Sequence, residues 1–326
     1  MNITPTTLDA IYYTFDTRFQ AAYDAAESFY EEIASIVPSS SRETRYAWIG
    51  KLPRLREWLG NRVVNNLAAR EYTLLNKDWE GTFKVARNDI EDDQVGVYNW
   101  GIDMLGMQAR TWPDDLLTQL LVTGDSTVLS SAVCYDGQPF FSANHPTDPN
   151  NAASATQSNL FNTTTSGSTP LNAQNYANVR AKMMAFQGED SKPFRVIPSL
   201  LVVPPNLEVT ANQILNSQII AQSVGSNAAQ AQSNVIPNLR GNARVLTVPY
   251  LAGVINSVNQ DNTWYLLATG FPIKPFVFQL RKAPQFVPLD QVNSPNVFFR
   301  REFIYGVDSR GNAGYALWFL AAKAAL

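Results

Sequence analysis

The chain has 326 residues, 45% of them hydrophobic and 16% charged, enough to bury a sizeable core as one large or two medium domains. It has no run of about 18 uninterrupted apolar residues to span a bilayer, and its start, MNITPTTLDA, shows no basic segment followed by an apolar one, so cytosolic synthesis without a secretory signal is expected. One cysteine, Cys134, excludes an internal disulfide, and one histidine, His145, leaves no second His to share a metal, so no metal or other cofactor is expected.

The net charge of −3 hides a segregation along the chain. Residues 1–41 carry six acids and one base, Arg18. There Leu8, Ile11, Phe15, Ala22, Phe29, Ile33 and Ile36 fall near one helical stripe, which predicts a helical arm capped by Thr6 or Thr7 and ended at Pro38. Residues 42–87 reverse the sign, with ten bases against five acids and the tryptophans Trp48, Trp58 and Trp79 among them. Tyr72–Leu75 and Thr82–Ala86 read as two short strands around NKDWEG, a hairpin with little apolar mass of its own, suited to project from the body.

Residues 88–125 swing back, with eight acids against Arg110 alone. Val95, Tyr98, Ile102, Leu105, Ala109, Trp112 and Leu116 recur at spacings of three and four, the mark of a helix with one buried stripe. From Asp89 to Thr111 it would run roughly 35 Å, with acids at the positive end of its dipole. Gly96, Gly101 and Gly106 each weaken such a helix by about 1 kcal/mol relative to Ala, so a closely approaching neighbour is expected there. Pro113 then kinks the helix or starts a new one ending near Gly124.

From Asn144 to Asn175 the chain is rich in Asn, Ser, Thr and Ala, a surface loop by composition. A helix over Asn172–Phe186 follows, then the apolar strand SLLVVPP (Ser199–Pro205), a short helix to about Leu215 and a polar loop over residues 216–238. Strands are predicted at Arg244–Val248, Trp264–Ala268 and Val277–Leu280. A last hairpin is expected from Phe298–Val307 and Tyr315–Ala322, turning at DSRGNAG.

Two stretches, VLSSAVCYDGQPFFSANHP after Thr127 and FFRREFIYGVDSRGNAGYALWFLAAKA from Phe298, resemble the major head subunit of Mu-like tailed bacteriophages, and the likeness runs from about Ile3 to the C-terminus. The resemblance implies an α+β chain of the Hong Kong 97 capsid fold. Its parts would be an N-terminal arm (1–41), an extended loop built as a β-hairpin (42–87), a peripheral domain with a spine helix (88–170), an apical domain (171–282) and strands returning to the peripheral domain (283–326). It implies a shell protein that assembles with itself as hexamers and pentamers around packaged double-stranded DNA. A separate scaffolding protein, a portal and a decoration protein would be its companions in the virion capsid, with assembly in the host bacterial cytoplasm and no membrane partner.

In that family the extended loop reaches over a neighbouring subunit, which gives the opposed charge blocks a geometry: Arg54, Arg56, Arg62 and Lys84 would lie near Asp92, Asp93 and Asp103 of a neighbour. Trp58 and Trp79 in the loop, Trp100 in the spine, and Phe15 and Phe29 in the arm complete the expected contacts. Two rivals stand beside this reading. One is a nanocompartment shell of the same fold. The other is a hydrolase using Cys134 and His145, which lie close enough in sequence for a nucleophile and base.

Overall fold

In the computed structural model, residues 2–49, 69–149, 151, 153–163, 167–188, 192–216, 220–224, 232–236, 239–255 and 258–326 are described. The arm begins where the Thr4 side chain accepts from the Thr7 amide at 3.2 Å and Pro5 takes the first helical position, so the cap is Thr4 rather than Thr6 or Thr7. Helix α1 (Pro5–Ala25) buries Leu8, Ile11 and Phe15 of the expected stripe, together with Phe19. It stops earlier than the stripe suggests. Ala26 is extended, a one-turn helix α2 (Tyr30–Ile33) follows, and Ile36 belongs to strand β1 (Ala34–Pro38).

Strands β2 (Glu43–Ile49) and β3 (Ala69–Leu75) pair antiparallel, Glu43 opposite Leu75 and Ile49 opposite Ala69. This hairpin differs from the expected one. NKDWEG is not its turn: only Asn76 separates β3 from β4 (Lys77–Ala86), which pairs in ten-residue register with a distant strand. Long-range pairing overrides the local turn signal.

After β4 come α3 (Arg87–Glu91), a 3-10 turn at Val95–Tyr98 and the spine helix α4 (Asn99–Thr123). The spine therefore starts ten residues later than its acids suggested, because Asp93 turns left-handed (φ 59°) and breaks the helix. It also runs unbroken through Pro113 for 25 residues, about 37 Å. The stripe is as expected: Ile102 and Leu116 are buried, and Val95, Tyr98, Leu105, Ala109 and Trp112 are packed against the cores.

The remaining elements are β5 (His145–Pro146), β6 (Thr156–Gln157), β7 (Leu160–Phe161), α5 (Ala173–Met184), β8 (Leu200–Val203), α6 (Glu208–Asn216), β9 (Ile220–Val224) and β10 (Gln232–Ile236). Then come β11 (Arg244–Thr247), β12 (Val254–Ile255), β13 (Val258–Asn259), β14 (Trp264–Leu267), β15 (Phe276–Leu289), α7 (Pro295–Arg300), β16 (Glu302–Tyr315) and β17 (Ala321–Ala324). Both polar stretches expected as loops thus contain short paired strands, β5 with β6 and β9 with β10.

Two sheets organise the chain. One has the order β1-β15-β16-β4, and the other β11-β8-β14-β17-β7. In the first, β15 and β16 are 14 residues each, about 45 Å long. The arm and spine pack on its lower half, where Leu8, Ile11, Phe15 and Phe19 meet Val85, Ile102, Phe286, Phe303 and Tyr305. In the second, β8 and β14 are buried along their whole length, as the unbroken apolar run of SLLVV requires for a strand covered on both faces. This sheet draws β7 and β17 from outside residues 171–282, so it gathers three separated stretches of sequence.

The expected terminal hairpin is absent. Phe298 lies in α7, and DSRGNAG runs straight through β16. Its glycines serve close packing instead: a Cβ at Gly311 would stand 2.5 Å from the Gln279 carbonyl oxygen on β15.

Candidate assembly interfaces

The arm is fastened to the spine by contacts that the sequence only half announces. Gly106 of α4 lets the arm backbone approach until an added Cβ would meet the Phe19 carbonyl oxygen at 2.7 Å, which is the close approach its glycine implied. Gly101 meets no such neighbour. Arg18 donates to Asp103 at 2.6 Å and Arg110 to Glu31 at 3.0 Å, so the lone base of each acidic block pairs with an acid of the other.

Asp114 is the buried joint of this arrangement. Its carboxylate accepts from Ser28 Oγ (2.9 Å), from the Phe29 amide (3.2 Å) and from the Tyr30 amide (2.8 Å), holding the chain where the arm turns from α1 into α2. Burial pushes its pKa up to about 6, against the pull of those three donors.

The β2–β3 hairpin is anchored to the body. Tyr46 donates to Gln279 Oε1 at 2.8 Å, the Tyr72 hydroxyl accepts from the Tyr315 amide at 3.2 Å, and Asn76 Nδ2 reaches Ser39 Oγ at 2.9 Å. The hairpin is therefore tied to the start of β15 and the end of β16, the ends nearer the second sheet.

The stretch around DGQPFFSANHP folds into a polar network sealed in the core. His145 Nδ1 lies 2.6 Å from Asp136 Oδ2, and Nε2 lies 3.2 Å from both the Phe140 carbonyl oxygen and Asn159 Oδ1. Asn159 Nδ2 donates to the carbonyls of Phe140 (2.8 Å), Trp318 and Ala321 (3.1 Å each), and its Oδ1 accepts from the Ser142 amide (2.9 Å), which fixes the orientation of the amide. The His145 ring stacks on Trp318, centroids 4.1 Å apart. Both named sequence motifs thus meet at one place, and their polar residues tie the second sheet together.

This geometry gives the nucleophile assignment no support. His145 bonds to Asp136, while the Cys134 thiol donates to the Ala316 carbonyl at 3.6 Å, and burial pushes its pKa well up, reinforced by Asp136. Among the described residues no group of acidic, His or Cys side chains is placed to hold a metal ion, and no helix is long and apolar enough to cross a membrane. A residue the sequence did not single out, Lys323, is buried in β17, donates to the Val122 carbonyl (3.0 Å) and pairs with Asp125 (2.9 Å). Burial lowers its pKa, and Asp125 opposes the shift.

The expected contact residues divide sharply. Arg54, Arg56, Trp58 and Arg62 lie outside the described residues. Phe15 is in the chain's own core, edge-on to Tyr305 at 5.2 Å. Phe29 is half-buried and part of the Asp114 joint. Trp79 donates to the Gly311 carbonyl at 3.0 Å and packs on Trp112. Lys84 pairs with Glu302 at 2.6 Å and Asp103 with Arg18, both within one chain. Asp92, Asp93 and Trp100 are exposed, and the two acids make no ion pair among the described residues.

A long four-stranded sheet under an arm and a spine helix, a β2–β3 hairpin tied to its end and a second sheet with helices define a viral shell subunit of the Hong Kong 97 type. The structure is similar to that of the procapsid subunit of bacteriophage JBD30, with a TM-score of 0.60 and 28% identity, covering 99% of this chain and 76% of that one. It is also similar to the JBD30 capsid subunit, with a TM-score of 0.52 and 27% identity over 77% of this chain and all of that one. The sequence model of the Mu-like prophage major head subunit gpT matches residues 8–169, 160–251 and 252–325, and the chain belongs to that family. Among curated proteins it is 29% identical to the Mu-like prophage FluMu major head subunit of Haemophilus influenzae, over 98% of this chain and 73% of the relative. It is 27% identical to the major capsid protein of Escherichia phage Mu, over 98% and 74%. The chain is a major head subunit of the Mu-like phage type, and these matches to phage heads set the nanocompartment reading aside.

Proposed function

We propose that this subunit forms hexamers and pentamers that close into an icosahedral shell around packaged double-stranded DNA, through interfaces rather than an active site. The observation that carries this is the likeness of 99% of this chain to the JBD30 procapsid subunit. Assembly takes place in the host cytoplasm on a separate scaffolding protein, with a portal at one vertex and a decoration protein outside. Residues 1–41 act as the arm and β2 and β3 as the base of the extended loop, while the four-stranded sheet with α4 belongs to the peripheral domain and the five-stranded sheet to the apical domain.

The loop's basic segment, with Arg54, Arg56 and Arg62 beside Trp58, packs on a neighbour's acidic surface. The spare acids Asp92 and Asp93 support this reading, because Lys84 and Asp103 are already paired at home. Each exposed pair contributes only about 0–1 kcal/mol, yet repetition over a shell makes assembly salt-dependent. Sedimentation of assembled particles across a salt series, for the wild type and for Arg54→Glu with Arg56→Glu, tests it. Assembly lost, or shifted to a different salt optimum, is expected, and an unchanged salt profile overturns the loop's charge role.

A further inference from the structure

The single histidine of the chain sits where its surroundings fix the place of its protons. The His145 ring is fully buried, and both of its nitrogens meet oxygen. Nε2 lies 3.2 Å from the Phe140 carbonyl oxygen and 3.2 Å from Asn159 Oδ1. The Asn159 amide cannot turn to offer its NH2 instead. Its Nδ2 already donates to the carbonyls of Phe140, Trp318 and Ala321, and its Oδ1 accepts from the Ser142 amide. The turned form would set one oxygen against three and an NH2 against an N–H. Nε2 therefore carries a hydrogen, shared between two acceptors.

Nδ1 faces Asp136 Oδ2 at 2.6 Å, a hydrogen-bond contact that needs a hydrogen of its own. A neutral imidazole has one N–H, and Nε2 has taken it. The other carboxylate oxygen, Asp136 Oδ1, accepts from the Gln138 amide at 3.1 Å, as an ionised carboxylate does. The Trp318 ring lies 4.1 Å from the imidazole and within 2° of parallel to it, a face that favours positive charge. Among the described residues Asp136 is the one ionisable group bonded to the ring, while the Cys134 thiol, which also feels the Asp136 charge, donates to the Ala316 carbonyl.

We propose that His145 is locked as an imidazolium against the Asp136 carboxylate, and that this trapped proton is a latch on the edge of the second sheet. The latched element is β7, two residues long and last in its sheet, with Leu160 opposite Lys323 and Phe161 opposite Ala324. So short a ladder holds little by itself, and Asn159 just before it hangs on side-chain bonds to the Phe140, Trp318 and Ala321 carbonyls. The imidazolium completes that set by joining Asp136 to Asn159 and Phe140. Removing its proton leaves a bare nitrogen facing either the two oxygens at Nε2 or the carboxylate at Nδ1, which drives the 136–145 stretch and β7 apart. An unfolded histidine gives up its proton near pH 6.5. Above that the folded chain binds one proton more than the unfolded one, so stability falls as pH rises.

The full chain, isotope-labelled at its histidine nitrogens, gives magnetic resonance signals from one residue, in solution or in sedimented assemblies. At neutral pH the wild type is expected to show a hydrogen on both ring nitrogens. Asp136→Asn supplies an amide that donates to Nδ1 while still accepting from Gln138, so in that form Nδ1 is expected to be bare. Urea unfolding of both forms from pH 6 to pH 9 then reads the latch. The wild-type folding constant is expected to fall relative to the Asn form, by up to about tenfold per pH unit. A wild-type ring with one bare nitrogen at neutral pH overturns the trapped proton, and a difference between the forms that is constant with pH overturns the latch. Should the Asn form not fold, the wild type decides by itself: its second ring hydrogen and its unfolding midpoint must be lost together as pH rises, and a midpoint indifferent to that loss overturns the proposal.

Discussion

Asp114 offers the sharpest quantitative prediction, because one carboxylate both holds the arm and resents its surroundings. Its folded pKa of about 6 stands above the 3.8 of a free side chain. Between those values the folded state binds more protons than the unfolded one, so this group's contribution to stability falls as pH rises from about 4 to about 6. The shift corresponds to about 3 kcal/mol at neutral pH. Asp114→Asn keeps an acceptor oxygen but cannot ionise, so its stability relative to the wild type should improve by up to about 3 kcal/mol between pH 4 and pH 7. Asp114→Ala strands three donors, two of them backbone amides, and should be about 2–4 kcal/mol less stable than the Asn form at either pH. Urea unfolding of the full chain, followed by tryptophan fluorescence at pH 4, 5, 6 and 7, reads both effects. A wild type and Asn form whose difference is constant with pH would refute the buried carboxylate as described, and equal Ala and Asn forms would refute its role as the arm's joint.

Three further outcomes follow from the packing. His145→Ala leaves Asp136 buried beside an emptied stacking site on Trp318 and should cost about 3–5 kcal/mol in the same urea assay; a loss under 1 kcal/mol would show the network to be dispensable. Gly106→Val drives a side chain into the Phe19 carbonyl, so the arm should shift or detach, with a loss of about 1–3 kcal/mol and faster amide exchange over residues 5–25; unchanged exchange there would contradict the contact. Phe298→Ser with Phe299→Ser, both exposed, should leave unfolding within about 0.5 kcal/mol of the wild type, and a larger loss would mean that these rings support the fold rather than a partner.

What the sequence made legible were the one-dimensional periodicities. The stripe Leu8, Ile11, Phe15 and the spine series from Val95 to Leu116 each bury one face of a helix, and SLLVV had to be an interior strand. Its resemblance motifs also named the fold. Pairing across long separations was hidden from local reading. NKDWEG and DSRGNAG have the composition of turns, yet they lie in β4 and β16, opposite each other, where Gly311 admits the backbone of β15 and Gly81 and Gly314 admit the side chains of Leu105 and Tyr72. The arm helix read too long because Ile33 and Ile36 stay in phase after Asp114 has already redirected the chain 84 residues away in sequence. Among the expected contacts, aromatic residues such as Phe15 and Trp79 belonged to the subunit's own packing, since apolar character marks burial without saying in which copy. The residues of α7 read as the start of a strand, where alternate side chains would be buried, whereas the helix leaves both Phe298 and Phe299 exposed.

The central claim, that this chain builds a shell, is tested most directly by the mass and shape of the purified full-length protein, from light scattering and electron microscopy at low and high salt. Rings of five or six subunits or closed shells, weakened as salt rises, are the predicted result. A chain that remains a monomer at every concentration and salt level would contradict it.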